Sequence, residues 1–70
     1  MRVSARNQLK GKILLITHGA INTEVLIEVA PGVTLTSQVT TSSVHDLGLQ
    51  EGGAVYAVIK ADSVMIGVDD

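Results

Sequence analysis

Apolar and polar positions alternate with period two over residues 21–40, interrupted once. Ile21, Thr23, Val25, Ile27 and Val29 alternate with Asn22, Glu24, Leu26 and Glu28. That period, with β-branched residues on one face, predicts a half-buried strand. Pro31-Gly32 follows. Pro fixes φ and Gly accepts positive φ, as a type II hairpin turn requires. Residues 33–40 resume the pattern, with Val33, Leu35, Ser37 and Val39 on one face and Thr34, Thr36, Gln38 and Thr40 on the other. Upstream, residues 5–17 predict a first strand. Within it Ile13-Leu14-Leu15-Ile16 leaves no polar face and so calls for burial on both sides. His18-Gly19-Ala20 ends that run, Gly19 giving the backbone freedom to turn.

The pattern then changes period. Thr41-Ser42-Ser43 offers N-cap hydroxyls, Val44 and Leu47 share a face at i, i+3 spacing, and Gly48 stands where a left-handed residue closes a helix. Leu49 is placed for the accompanying apolar contact. One short helix over 42–47 is predicted, lying across the end of a barrel. Gln50-Glu51-Gly52-Gly53 is a turn, and residues 54–60 and 63–68 predict two further strands joined tightly near Lys60-Ala61-Asp62. Five strands with a short helix between the third and fourth make an all-β chain in the order of an OB-type barrel. Fold alone does not give function, since such barrels serve many ligands.

Seventy residues make one domain, 1–70, with a core near the lower limit for independent stability. There is no cysteine, Trp or Phe, and a single Tyr, Tyr56, although 46% of the residues are hydrophobic. The core must come from Val, Ile, Leu and Ala, and so small an aliphatic domain gains stability by burying surface against copies of itself. The net charge is −2, from five Lys+Arg against seven Asp+Glu. A nucleic-acid binder needs a basic excess and stacking aromatics, and this chain has neither. No apolar run approaches the roughly 20 residues that span a bilayer, and no signal peptide is seen, so the cytoplasm is expected. His18 and His45 are coupled by no spacing to a serine or carboxylate, and the carboxylates are scattered, so enzymatic activity and a metal cage are not expected.

Candidate chemistry concentrates in Ser4-Ala5-Arg6-Asn7-Gln8-Leu9-Lys10-Gly11, a stretch dense in donors and free of carboxylates. Hydroxyl, guanidinium and amide groups suit an anion, because each can donate; a solvated polar N-terminus is the plainer alternative. With "HGAIN" at 18–22 and "YAVIKADSVMIGVD" near the end, "SARNQLKG" carries a resemblance over nearly the whole chain. The sequence resembles the molbindin (Mop) family of small molybdate-binding proteins, with a TOBE/Mop-type OB-like domain.

That resemblance implies molybdate or tungstate binding and intracellular storage, no cofactor, and a homo-hexamer, a trimer of dimers, with anion sites between subunits. The starting Met and the full motif set suggest a free-standing protein. Sites of the first kind join the N-terminal motif of one chain to the Lys-Ala turn of another: here Ser4, Ala5 and Arg6 with Lys60, Ala61 and Ser63. Sites of the second kind, near the threefold axis, use the turn His18, Gly19, Ala20, Ile21 and Asn22. An ordinary strand-to-strand turn is the alternative there. Were His18 to face the anion, binding would strengthen as the imidazole gains a proton. Asp62, where the family often carries a small hydroxyl residue, puts a carboxylate beside the first site. A molybdopterin carrier, wanting an apolar slot and aromatic stacking, and an OB-fold nucleic-acid binder are the alternative functions.

Overall fold

Four strands, one α-helix and a 3₁₀ turn form the chain in the computed structural model, which describes residues 1–69. The strands are β1 (Asn7–Thr17), β2 (Asn22–Ala30), β3 (Val33–Thr40) and β4 (Ala54–Ile59), with α1 (Thr41–Leu47) between the last two. They make one antiparallel sheet in the order β3-β2-β1-β4. The two edges are therefore β3 and β4. This curved sheet with its single helix is OB-like.

The period-two expectation holds along most of β2 and β3, although Ile21 and Val33, expected on the inward face, are 78% and 51% exposed. Thr23, Val25 and Ile27 are buried while Asn22 and Glu24 are exposed, and Leu35, Ser37 and Val39 are half-buried against exposed Thr34, Thr36 and Gln38. Pro31-Gly32 makes the hairpin between Ala30 and Val33, and Gly32 takes φ 73°, the positive value a type II turn needs. Ile13 of β1 packs with Val25, Ile27 and Ala57 as the buried cluster, flanked by Ile16, Val29, Leu35, Val39, Leu49 and Val55. Gly11 is required where β1 crosses β2, because a Cβ there would sit 2.6 Å from the Glu28 carbonyl oxygen.

The β1–β2 register shifts between Ile13 and Leu15, a bulge in mid-strand. It turns Leu14 and Leu15 outward, to 39% and 52% exposure, so the two-sided burial expected of this run is not met within one chain.

The helix begins one residue earlier than expected. Its cap is Thr40, whose hydroxyl accepts the Ser43 N–H at 3.2 Å from an extended backbone (φ −68°, ψ 147°), rather than one of residues 41–43. Gly48 closes it at φ 63°, with its N–H on the His45 carbonyl at 3.1 Å and the Leu49 N–H on Val44 at 3.0 Å. Val44 is the buried residue of α1, and Leu49 reaches the core; Leu47, expected beside Val44, is exposed.

The fifth strand expected over 63–68 is not formed. Ala61–Ser63 makes the 3₁₀ turn, and residues 64–69 run without a ladder partner. Val64, Met65, Ile66 and Val68 face solvent, Met65 and Ile66 at 93%. Their apolar composition is strand-like, but β preference expresses fit to neighbouring strands, and no edge of this chain lies beside them.

Candidate functional site

The pairing of β1 with β4 runs from Lys12↔Ala54 to Asn7↔Ile59. Residues just before Asn7 must therefore lie beside residues just after Ile59. At this end of the sheet a pocket of about 310 Å³ is lined by Ser4, Ala5, Arg6, Lys60, Ala61 and Asp62. Two side-chain bonds fix its rim: Asn7 Nδ2 donates to the Ile59 carbonyl at 3.4 Å, and Gln8 Nε2 to the Ala5 carbonyl at 2.9 Å. The 3₁₀ turn is closed by the Ser63 N–H on the Lys60 carbonyl at 2.9 Å.

Five of the six residues expected at the first-kind site thus meet in one place. Ser63 does not line it, and its N–H is engaged in the turn. The two motifs, expected from different chains, come together within one. The pocket offers two cations, Arg6 and Lys60, the Ser4 hydroxyl, and one carboxylate, Asp62, all exposed. Such a donor set can hold a small oxyanion, with Asp62 opposing it.

The second turn, 18–22, joins β1 to β2 at the other end of β1. His18, Gly19, Ala20, Ile21 and Asn22 are all exposed, Ile21 at 78%. The turn contains no charged side chain apart from a protonatable imidazole, yet its backbone is tightly held. A Cβ on Gly19 would meet the Asn22 carbonyl oxygen at 2.1 Å, so only glycine fits. Gly19 donates its N–H to Thr23 Oγ1 at 3.4 Å, and its carbonyl accepts from Thr41 Oγ1 at 2.7 Å. Thr23 Oγ1 and Thr41 Oγ1 are 2.8 Å apart, and the Thr41 N–H donates to the Ile21 carbonyl at 2.8 Å. The N–H groups of Ala20 and Ile21 meet no acceptor among the described residues.

Thr23 and Thr41 were absent from the sequence-based candidates. Thr23 carried one signal: a hydroxyl on an otherwise apolar inward face must find a partner, and it is 1% exposed here. Its partner, eighteen residues on, carried none. His45 is exposed in the last turn of α1. Among the described residues no three His, Asp or Glu side chains group as metal ligands, and no helix is long and apolar enough to cross a membrane.

Fold and turns together define a small OB-like β domain with donor-rich turns at both ends of its central strand. The chain belongs to the TOBE-domain family, whose model matches residues 3–66. It is 48% identical over 69 residues to a Haemophilus influenzae protein named probable molybdenum-pterin-binding protein, covering 99% of this chain and 100% of that one. MopII from Clostridium pasteurianum superposes with a TM-score of 0.90 at 43% identity, covering 96% of this chain and all of MopII. The cytoplasmic molybdate-binding protein ModG, in a molybdate-bound form, gives a TM-score of 0.92 at 45% identity over 99% of this chain and 49% of ModG.

Proposed function

We propose that this protein binds molybdate, and tungstate in the same way, and stores or buffers the oxyanion in the cytoplasm, acting by binding rather than catalysis. The observation that carries the reading is the convergence of Ser4, Ala5 and Arg6 with Lys60 and Ala61 on one pocket at the end of β1. The molybdate-bound relative of near-equal fold supports the choice of ligand. The turn 18–22 is the second anion site, made of backbone N–H groups at a glycine-permitted close approach.

Selectivity follows from protonation and size. Molybdate, tungstate and sulfate only accept hydrogen bonds, whereas phosphate near neutral pH carries a proton that, Asp62 and the Ser4 hydroxyl apart, no side chain of the donor-rich pocket can match. Such a mismatch costs about 1–3 kcal/mol, roughly tenfold in affinity. Sulfate is refused on size. Phosphate binds least.

The assembly is a homo-hexamer, a trimer of dimers, in which apolar surface left open by one chain is covered by others. Leu14 and Leu15 on β1, Ile21 in the turn before β2, and Met65, Ile66 and Val68 beyond the sheet supply that surface, and both sheet edges remain open. A monomeric sedimentation coefficient would remove this part of the reading.

Isothermal titration of dialysed protein with molybdate, against sulfate and phosphate, tests the function. Tight molybdate binding with weak sulfate and phosphate responses is expected; no molybdate heat from a confirmed oligomer overturns it. A second reading, carriage of a molybdopterin, is favoured by the apolar grooves that Tyr56 borders and by the names of relatives. Titration with a pterin then decides between them.

A further inference from the structure

The hydrogen bonds around Gly19 allow only one order of protons. The Thr41 hydroxyl has a single hydrogen, and at 2.7 Å from the Gly19 carbonyl it is given there. In the 2.8 Å contact between the two hydroxyls, Thr23 is therefore the donor. The Thr23 oxygen is left to accept the Gly19 N–H. The result is a closed circuit that leaves Gly19 through its N–H, passes through two threonines and returns to its own carbonyl. Thr23 is buried and Thr41 half-buried, so water competes little for the contact between the two hydroxyls, while the bond to the Gly19 carbonyl lies at the surface.

The circuit has a consequence for the side of the turn it does not touch. The peptide bonds among the described residues are trans, and in a trans peptide the C=O and the following N–H point in opposite directions. Holding the Gly19 carbonyl on Thr41 aims the Ala20 N–H away from α1. The Thr41 backbone N–H, on the Ile21 carbonyl at 2.8 Å, does the same for the Asn22 N–H. One residue on the helix thus orients two peptide units of the turn, one through its side chain and one through its backbone.

We infer that Thr41, with Thr23 relaying its hydroxyl, is the positioning residue of the 18–22 anion site: it touches no ligand, and it presents the turn's N–H groups at a fixed angle. The inference rests on the reading of that turn as an oxyanion site. Its physical content is preorganisation: oriented dipoles stabilise an anion only if they need not reorganise to meet it. Removing the Thr41 hydroxyl leaves the Gly19 carbonyl and the Thr23 hydroxyl without their partner and frees the Gly19–Ala20 peptide to rotate.

Molybdate titrations of full-length wild type, Lys60→Ala, Thr41→Val and Thr41→Ser test it. Wild type shows two classes of site. Lys60→Ala weakens one class and leaves the other. Thr41→Val weakens the class that Lys60→Ala spares, by about tenfold or more, corresponding to one lost buried hydrogen bond and its stranded partner. Thr41→Ser restores it. Should Thr41→Val fail to fold, Thr41→Ala puts the best helix former at the first helical position and is read in the same way. A merely structural role would lower both classes together. Two unchanged classes in Thr41→Val overturn the inference, as does a Thr41→Ser protein as weak as Thr41→Val. A wild type with a single class, abolished by Lys60→Ala, instead overturns the anion reading of the turn itself, and the role of Thr41 falls with it.

Discussion

The two ends of β1 present donors to solvent by opposite means. The pocket at its N-terminal end has two cationic side chains, a hydroxyl and a carboxylate, all exposed on flexible stems. The turn at its C-terminal end has little charge but a backbone held by a partly buried hydroxyl circuit and a glycine that no other residue can replace. Charge acts at a distance and tolerates imprecise placement; peptide dipoles are weak and must be aimed. On the proposed reading, a single small sheet would carry one site whose affinity lies in side chains and one whose affinity lies in geometry. At about 3.3 Å per residue, the eleven residues of β1 span at most roughly 35 Å, less with its bulge, and put the two turns at opposite ends of the strand, so changes at one should leave the other alone.

The strongest way to break the comparison is Gly19→Ala. A methyl group 2.1 Å from the Asn22 carbonyl oxygen forces the turn open, and the hydroxyl circuit with it. A stability loss of about 3 kcal/mol, read by chemical denaturation, is expected, together with loss of the turn's anion class. The same change at exposed Gly32 is a poorer probe of space, since its Cβ meets nothing within 4 Å and only the φ of 73° resists. Retention of wild-type stability in Gly19→Ala would mean the turn is plastic and the contrast between the two ends is lost.

At the other end the corresponding change is Lys60→Ala. It removes a charge-assisted contact, and molybdate binding in the pocket class should weaken by about 1.5–3 kcal/mol, tenfold or more by calorimetry. Folding stability should hardly move, because Lys60 is exposed and only its backbone closes the 3₁₀ turn. An unchanged affinity would remove Lys60 from the site. Ionic strength separates the two ends without mutation. Exposed charges are screened over about 10 Å at 0.1 M salt, so the pocket class should lose about fivefold between low and high salt while the turn class loses less. Equal losses would show that both sites work through net charge.

How much of this was legible in the sequence depends on the range of the interaction concerned. β2, β3, the Pro31-Gly32 turn and the Gly48 closure rest on periodicity and on residues a few positions apart, and they appear as expected. The expected strand over 63–68 failed because its composition speaks of an apolar environment without saying which edge supplies it. The bulge at Leu14 turned an apolar run outward for the same reason: continuous hydrophobicity announces burial, not the surface that does the burying. The meeting of Ser4–Arg6 with Lys60–Asp62 within one chain depends on a strand register of fifty-two residues' separation at Asn7↔Ile59, which no local pattern carries; the family resemblance joined the two motifs, but between different chains. Nothing supplied the pairing of Thr23 with Thr41, whose donors and acceptors become a circuit only when β2 and α1 are brought together.

The finest test of the contrast is Asp62→Asn. Asp62 lines the same pocket as Arg6 and Lys60, and a negative charge beside a dianion opposes binding whatever the number of donors around it. In an exposed, high-dielectric setting that opposition is modest, and the neutral amide should tighten molybdate binding by about threefold. The two anions should respond differently. A carboxylate can accept the proton that phosphate carries near neutral pH, whereas an amide offers a weaker acceptor, so the molybdate gain should exceed any phosphate gain. Asp62 should thus lower both the affinity and the selectivity of the charged end, and the charge-poor turn, with no carboxylate of its own, should not change at all. If molybdate binding in the pocket class is the same in Asp62→Asn and wild type, the carboxylate faces away from the anion, and the selectivity of that end resides in Arg6, Lys60 and the shape of the loop alone.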